Sequence, residues 1–153
     1  MIITKQGYEK LQKEINHLLQ NDLQSAIKLL EDTRPYGVSD EFPPEYLQAI
    51  DNMNIIEKKI SDLQELYSSA TIFVKSMIKN TNIVGFGATV KIENIESGKV
   101  SQYTLVSSYE SDVKQGLISV ESPMVKEMFG LSVDDEFEVN NQDYVILDIT
   151  YHY

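Results

Sequence analysis

The apolar positions change their period once along the chain. From Tyr8 to Tyr67 they recur at helical spacing, and from Val84 onward they sit in short, β-rich runs. The clearest helical stretch is Tyr46, Ala49, Met53, Ile56, Ile60, Leu63 and Tyr67. Its steps alternate three and four residues without a break, which is the seam of a coiled coil. An earlier stretch offers Tyr8, Leu11, Ile15 and Leu18, then continues less regularly through Leu23, Ala26 and Leu30. Thr4 is placed to cap the start of this first arm. Between the arms lies an acidic elbow, Tyr36-Gly37-Val38-Ser39-Asp40-Glu41-Phe42-Pro43-Pro44-Glu45. Gly37 and the proline pair keep it out of any continuous helix. Two seams joined by a turn predict an antiparallel helical hairpin. Arms of roughly 25 residues at about 1.5 Å per residue give a finger on the order of 40 Å long. Such a finger is too thin for a large core and well shaped to carry its apex into a narrow space.

The second half reads differently. Ile72 to Asn82 is a connector with one apolar turn, broken by Asn80-Thr81-Asn82. Gly87–Ile92 and Val100–Val106 are strands separated by the turn Glu96-Ser97-Gly98-Lys99, and Gly116–Val120 is a shorter strand. Ser122 as N-cap, Pro123 in the first turn and Gly130 as a stop bound a short helix. Glu136–Val139 and Tyr144–Ile149 flank Asn140-Asn141-Gln142-Asp143 as a hairpin. The expected class is α+β: a helical hairpin over residues 1–75, then a small antiparallel sheet with one helix over 76–153.

Composition narrows the function classes. The 153 residues hold no cysteine, which removes disulfide frameworks and thiolate zinc sites and fits a reducing compartment. No stretch approaches the roughly 18 apolar residues of a membrane span. The first residues lack a signal peptide's charged lead and apolar core. The expectation is a cytoplasmic protein, monomeric, with no membrane contact. Net charge is −11. Residues 1–75 carry 8 Lys/Arg against 12 Asp/Glu, and residues 76–153 carry 5 against 12. Phosphates are repelled by such a surface, which makes it a poor general binder of nucleic acid and favours a protein or basic partner. The same acidity also serves solubility alone.

Few residues offer chemistry. His17 and His152 are the only histidines, and neither has a partner at a catalytic or ligand spacing. Gly85-Phe86-Gly87 is a strand entry, because no further glycine and helix follow as in a dinucleotide loop. Asp134-Asp135-Glu136 reads as a solvated turn. The elbow group Asp40, Glu41 and Glu45 is different, since it sits at the apex of the finger beside a bulky Phe42. Clustered carboxylates are hard oxygen ligands of the kind Mg²⁺ takes, often shared with a phosphate or with another protein's carboxylates. An exposed elbow also carries carboxylates for no reason beyond solvation.

Four blocks resemble one family. Thr4-Lys5-Gln6-Gly7-Tyr8-Glu9-Lys10-Leu11 is similar to a T-x-x-G-x-x-x-L opening, and Lys59-Ile60-Ser61-Asp62-Leu63 to an R-I-x-x-L pattern in a second helix. Phe86-Gly87-Ala88-Thr89-Val90 looks like an FGATV strand. Leu117-Ile118-Ser119-Val120-Glu121-Ser122-Pro123-Met124, with Gly130 after it, looks like an I-S-x-x-S-P-[LIM] block. In order and spacing these blocks resemble the Gre (GreA/GreB-type) transcript-cleavage factors of bacterial RNA polymerase over nearly the whole chain. The resemblance implies a coiled-coil domain followed by an FKBP-like domain. It also implies an accessory factor rather than an enzyme, whose partner is bacterial RNA polymerase. Ile118, Ser119, Ser122, Pro123 and Met124 are then the candidate polymerase contacts, at the rim of the secondary channel. On the same resemblance the coiled coil is expected to enter the channel and to meet the nascent RNA 3′ end only inside that complex. The resemblance further implies that no cofactor is bound alone and that tip carboxylates help hold the polymerase's own Mg²⁺ for two-metal cleavage of backtracked RNA.

At the tip the chain departs from the family pattern G-D-x-x-E-N-A-E-Y. Counted back from Glu45-Tyr46, the family Asp falls on Ser39 and the family Glu on Phe42. Anchored on Gly37, they fall on Val38 and Glu41, with one extra residue in the loop. Asp40 and Glu41 are the candidate Mg²⁺-coordinating acids from shifted positions, and Glu45 is a weaker one. Two function classes follow: stimulation of transcript cleavage, or a channel-occupying regulator that inhibits or modulates the polymerase without cleavage. An FKBP-like fold alone also suggests prolyl isomerisation, but fold does not carry function.

Overall fold

The structure is a computed structural model that describes residues 1–37 and 41–152. The chain forms two compact units, one of Tyr8–Ala70 and one of Met1–Gly7 with Thr71–Tyr153. The sequence suggests a division at 75/76; the compact units divide at 70/71, and the first seven residues group with the second half.

The unit of Tyr8–Ala70 is the helical hairpin. Its first arm is helix α1 (Lys5–His17, whose first turn groups with the other unit), a π-helical turn at Leu18–Asp22, and helix α2 (Leu23–Thr33). Helix α3 (Pro44–Ser69) is the second arm, and its 26 residues span about 39 Å. All seven seam positions of α3 are buried or half-buried, as are Tyr8, Leu11, Ile15, Leu18, Leu23, Ala26 and Leu30 opposite. The arms run antiparallel. Tyr8 and Tyr67 stack with ring centroids 4.5 Å apart, and Lys59 Nζ pairs with Glu14 Oε1 at 2.9 Å. Ala26 and Ala49, nearly fully buried, let α2 and α3 approach closely.

The irregular stretch of the first arm has a local cause. Leu18 and Leu23 are five residues apart, a step that would rotate Leu23 away from the seam in a uniform α-helix. The backbone N–H of Leu23 donates to the carbonyl of Leu18, a five-residue bond that widens one turn and returns Leu23 to the seam.

In the other unit, strand β1 (Ile2–Ile3) pairs in parallel with β2 (Thr71–Ile72). A five-stranded sheet follows, built from β3 (Ala88–Asn94), β4 (Val100–Val106), β5 (Leu117–Ser119), β6 (Glu136–Val139) and β7 (Gln142–Tyr151) in the order β5-β4-β3-β7-β6. β3–β4, β3–β7 and β6–β7 are antiparallel, whereas β4–β5 is parallel. The sheet is therefore mixed, not antiparallel throughout. Two short 3-10 turns, Ser108–Glu110 and Val113–Gln115, occupy the crossover and bring the chain back to run β5 alongside β4. Helix α4 (Pro123–Met128) starts as expected, with Ser122 Oγ accepting from Val125 N at 3.4 Å and Pro123 in its first turn. It closes the core with Val125 and Met128 against Val90, Ile92, Leu105, Phe137 and Ile146. The β6–β7 hairpin turns on Asn140 and Asn141, both with positive φ (52° and 58°), the tight turn whose twist matches the strands.

Candidate functional site

The elbow is set by local chemistry. At the end of α2, Thr33 Oγ1 donates to the Leu29 carbonyl at 2.7 Å. Arg34 is extended, as a residue before proline prefers. Gly37 takes φ +92°, a conformation that glycine adopts at no steric cost. The chain re-enters helix at Pro43, whose carbonyl accepts from the N–H groups of Tyr46 (3.0 Å) and Leu47 (3.1 Å), with Pro44 pre-shaped for the first helical position.

Among the candidate acids, Asp40 lies outside the described residues. Glu41 is exposed on the elbow, and Glu45 is exposed in the first turn of α3, where the unpaired N–H groups favour negative charge. Phe42 is 55% exposed and leans on Tyr46 with ring centroids 5.5 Å apart, while Tyr36 is fully exposed. Among the described residues no three His, Cys, Asp or Glu side chains converge to hold a metal ion. Glu41 and Glu45 carry hard oxygen donors of the kind Mg²⁺ takes, and two carboxylates are fewer than a full coordination shell.

The second candidate block splits by exposure. Ile118 is 9% exposed and belongs to the core of the sheet, so a direct contact through its side chain is at odds with its position. Pro123 is exposed, and Ser119, Ser122 and Met124 are half-buried. Ser119 and Ser108 share a hydrogen bond of 2.9 Å, and Ser108 Oγ donates to Glu121 Oε2 at 2.7 Å. Met124 lines a polar cleft of about 280 Å³ with Asn94, Tyr103, Gln142 and Tyr144. His17 and His152 belong to different units and are both exposed; His17 sits 3.6 Å from Asp22. Asp135 Oδ2 accepts from Ser132 N at 2.7 Å, so the Asp134-Asp135-Glu136 segment folds as a turn.

One buried carboxylate escaped the sequence. Glu110, 8% exposed, accepts from Ser107 Oγ (2.7 Å) and Thr4 N (3.2 Å), and also from the Thr4 hydroxyl. Thr4 Oγ1 in turn accepts from Gly7 N at 3.0 Å, which is the expected N-cap. A Cβ on Gly7 would lie 2.2 Å from Glu110 Oε1. The T-x-x-G opening is therefore a seat for Glu110: the threonine binds it and the glycine makes room. An acid set in the serine-rich run Ser107–Ser111 was the available signal, but nothing local says that it is buried.

Comparison with known proteins covers both units. Residues 1–72 match the family model "Transcription elongation factor, N-terminal", and residues 79–151 match "Transcription elongation factor, GreA/GreB, C-term". Transcription elongation factor GreA of Syntrophus aciditrophicus is 34% identical over 153 residues, covering 97% of this chain and 94% of the relative. GreA of Helicobacter pylori is 35% identical over 149 residues, covering 95% and 90%. The crystal structure of GreA factor homolog 1 from Thermus thermophilus is 26% identical and covers 97% of each chain, with a TM-score of 0.43. On the two family models and the near full-length relatives, the chain belongs to the GreA/GreB family of transcription elongation factors.

Proposed function

We propose that this protein binds bacterial RNA polymerase as an accessory factor and stimulates cleavage of backtracked RNA. The observation that carries this reading is the elbow: a long helical hairpin in a GreA/GreB chain ends in exposed carboxylates, Glu41 and Glu45. The sheet unit docks through Ser119, Ser122, Pro123 and Met124 at the rim of the secondary channel, with Ile118 supporting them from the core. The hairpin enters the channel as a monomer and reaches the nascent RNA 3′ end within the complex. Asp40 and Glu41 present carboxylate oxygens to the polymerase's Mg²⁺, which supplies charge neutralisation and an activated water. Glu45 chiefly favours the start of α3. The protein works in the cytoplasm, where the polymerase is.

A second reading is channel occupancy that slows the polymerase without cleavage. It is favoured by the proline pair: Pro43 and Pro44 start α3 where the family pattern has Asn and Ala, and so set a different path for the acids. A halted, backtracked elongation complex with end-labelled RNA separates the two. Faster release of short 3′ fragments, lost in an Asp40→Ala/Glu41→Ala variant, supports cleavage. Slower nucleotide addition with unchanged cleavage supports occupancy.

A further inference from the structure

We propose that the open end of the sheet's inner face, beside α4, binds a small monocarboxylate with an apolar body. Side chains two residues apart on a strand share a face. On β3 the inner row runs through Val90 and Ile92, both buried, to Asn94. On β4 it runs back from buried Leu105 through Tyr103 and Ser101 to Lys99, whose carbonyl accepts from Asn94 N at 2.9 Å. Both rows therefore turn from apolar to polar toward the same end. The six residues of α4 span about 9 Å, against about 23 Å for each seven-residue strand, so the helix cannot cover the whole face. The uncovered part is a cleft of about 280 Å³, lined by Met124 from α4 and Tyr144 from β7 as well as by these rows. Its size is at the small end of ligand cavities. The cleft lies within the sheet unit, so the site is independent of how the elbow works.

The cleft holds hydrogen-bond donors that the fold leaves over. Asn94 is 9% exposed; its Oδ1 accepts from Ser97 N at 2.9 Å, and its amide gives one N–H to Gln142 Oε1 at 3.4 Å. An asparagine amide has two N–H groups, and the second has no partner among the described residues. Lys99 Nζ, Ser101 Oγ and the Tyr103 hydroxyl have none there either. Charge then sets the occupant. Residues 76–153 carry 5 Lys/Arg against 12 Asp/Glu, yet Lys99 is the one charged residue among the described residues that line the cleft. One ammonium beside neutral N–H and O–H donors suits a single negative group that accepts several hydrogen bonds, which is a carboxylate. A phosphate brings more charge than one lysine balances, and the acidic surface around it opposes its approach. Ile92, Met124 and the ring of Tyr144 offer apolar contact to the rest of the molecule.

The test is a titration of the full-length, isotope-labelled protein with phenylacetate, followed through its backbone amide signals by NMR. Saturable shifts are expected at Asn94, Ser101, Tyr103 and Tyr144. 2-Phenylethylamine, which has the same body and the opposite charge, and inorganic phosphate are expected to leave those signals in place. Lys99→Gln is expected to weaken phenylacetate binding roughly tenfold through loss of a charge-assisted hydrogen bond, while Lys99→Arg retains it. Lys91→Gln, exposed on the opposite face of the sheet, is expected to bind as the wild type does. Lys99 is exposed, so its replacement leaves the fold intact, and the signals far from the cleft verify this in the same spectra. Absence of saturable shifts at the cleft overturns the site. So does equal affinity in the Lys99→Gln variant, or binding of 2-phenylethylamine or phosphate there as tight as that of phenylacetate.

Discussion

At the scale of single residues, the least expected feature is the seat that Thr4 and Gly7 make for Glu110. The threonine cap was legible, since Thr before an amphipathic helix is a common start signal. Its second task was not, because the partner is 106 positions away in the chain and no local pattern marks the contact. Gly7 costs helix propensity, and it is the residue type that leaves space for the carboxylate. Gly7→Ala gains helix propensity but displaces Glu110 from its donors, and the net cost is expected to be about 1–3 kcal/mol. Chemical denaturation checks this. In a double-mutant cycle the Gly7→Ala cost should shrink when Glu110 is also Ala, because the clash is then gone. The same scale separates Ile118 from Pro123. Ile118 is core, so its replacement by Ala is expected to cost about 2–5 kcal/mol of stability. Pro123 is exposed, and Pro123→Asp is expected to leave the fold intact while weakening capture by core polymerase in a pull-down.

At the scale of elements, the hairpin was legible because period is a local property. The seam of α3 is regular throughout, and every predicted seam position is buried or half-buried. The break at Leu18–Leu23 was visible only as irregularity; the π turn is how the backbone resolves it. Deleting Gln20 should convert that turn to ordinary helix with Leu18 and the shifted leucine still on one face. Helix content by circular dichroism and the melting temperature are expected to change little. Inserting an alanine after Gln20 should rotate Leu23, Ala26 and Leu30 off the seam and lower the melting temperature strongly. Ile60→Asp places an unpaired charge at a position 6% exposed and should unfold the hairpin. Full helix content in that variant would contradict the packing. In the sheet, each strand from β3 onward was legible from β-branched runs and turn residues. The direction of β5 was not, since alternation carries no sign. The 3-10 crossover decides it. The pairing of Ile2–Ile3 with Thr71–Ile72 was not legible either, because two-residue strands are too short to have a period.

At the scale of the whole molecule, charge and family point the same way. A net charge of −11 opposes general binding of RNA through its phosphates, and membership of a transcription elongation factor family fits a protein partner. The blocks that carry the resemblance span both units, and both family models match them. The tip resists reading because its spacing departs from the family's and a proline pair fixes the restart of the helix. In the proposed function the apex acids act on the cleavage step. Its most direct measurement is the single-turnover rate of 3′ fragment release from a backtracked complex, with Mg²⁺, at saturating protein. The wild type should release fragments faster than polymerase alone. Asp40→Ala/Glu41→Ala should bind with similar affinity and lose most of the acceleration, because an acid that completes metal coordination acts on the transition state more than on docking. A cleavage rate that the wild type leaves unchanged, while nucleotide addition slows, would contradict the claim.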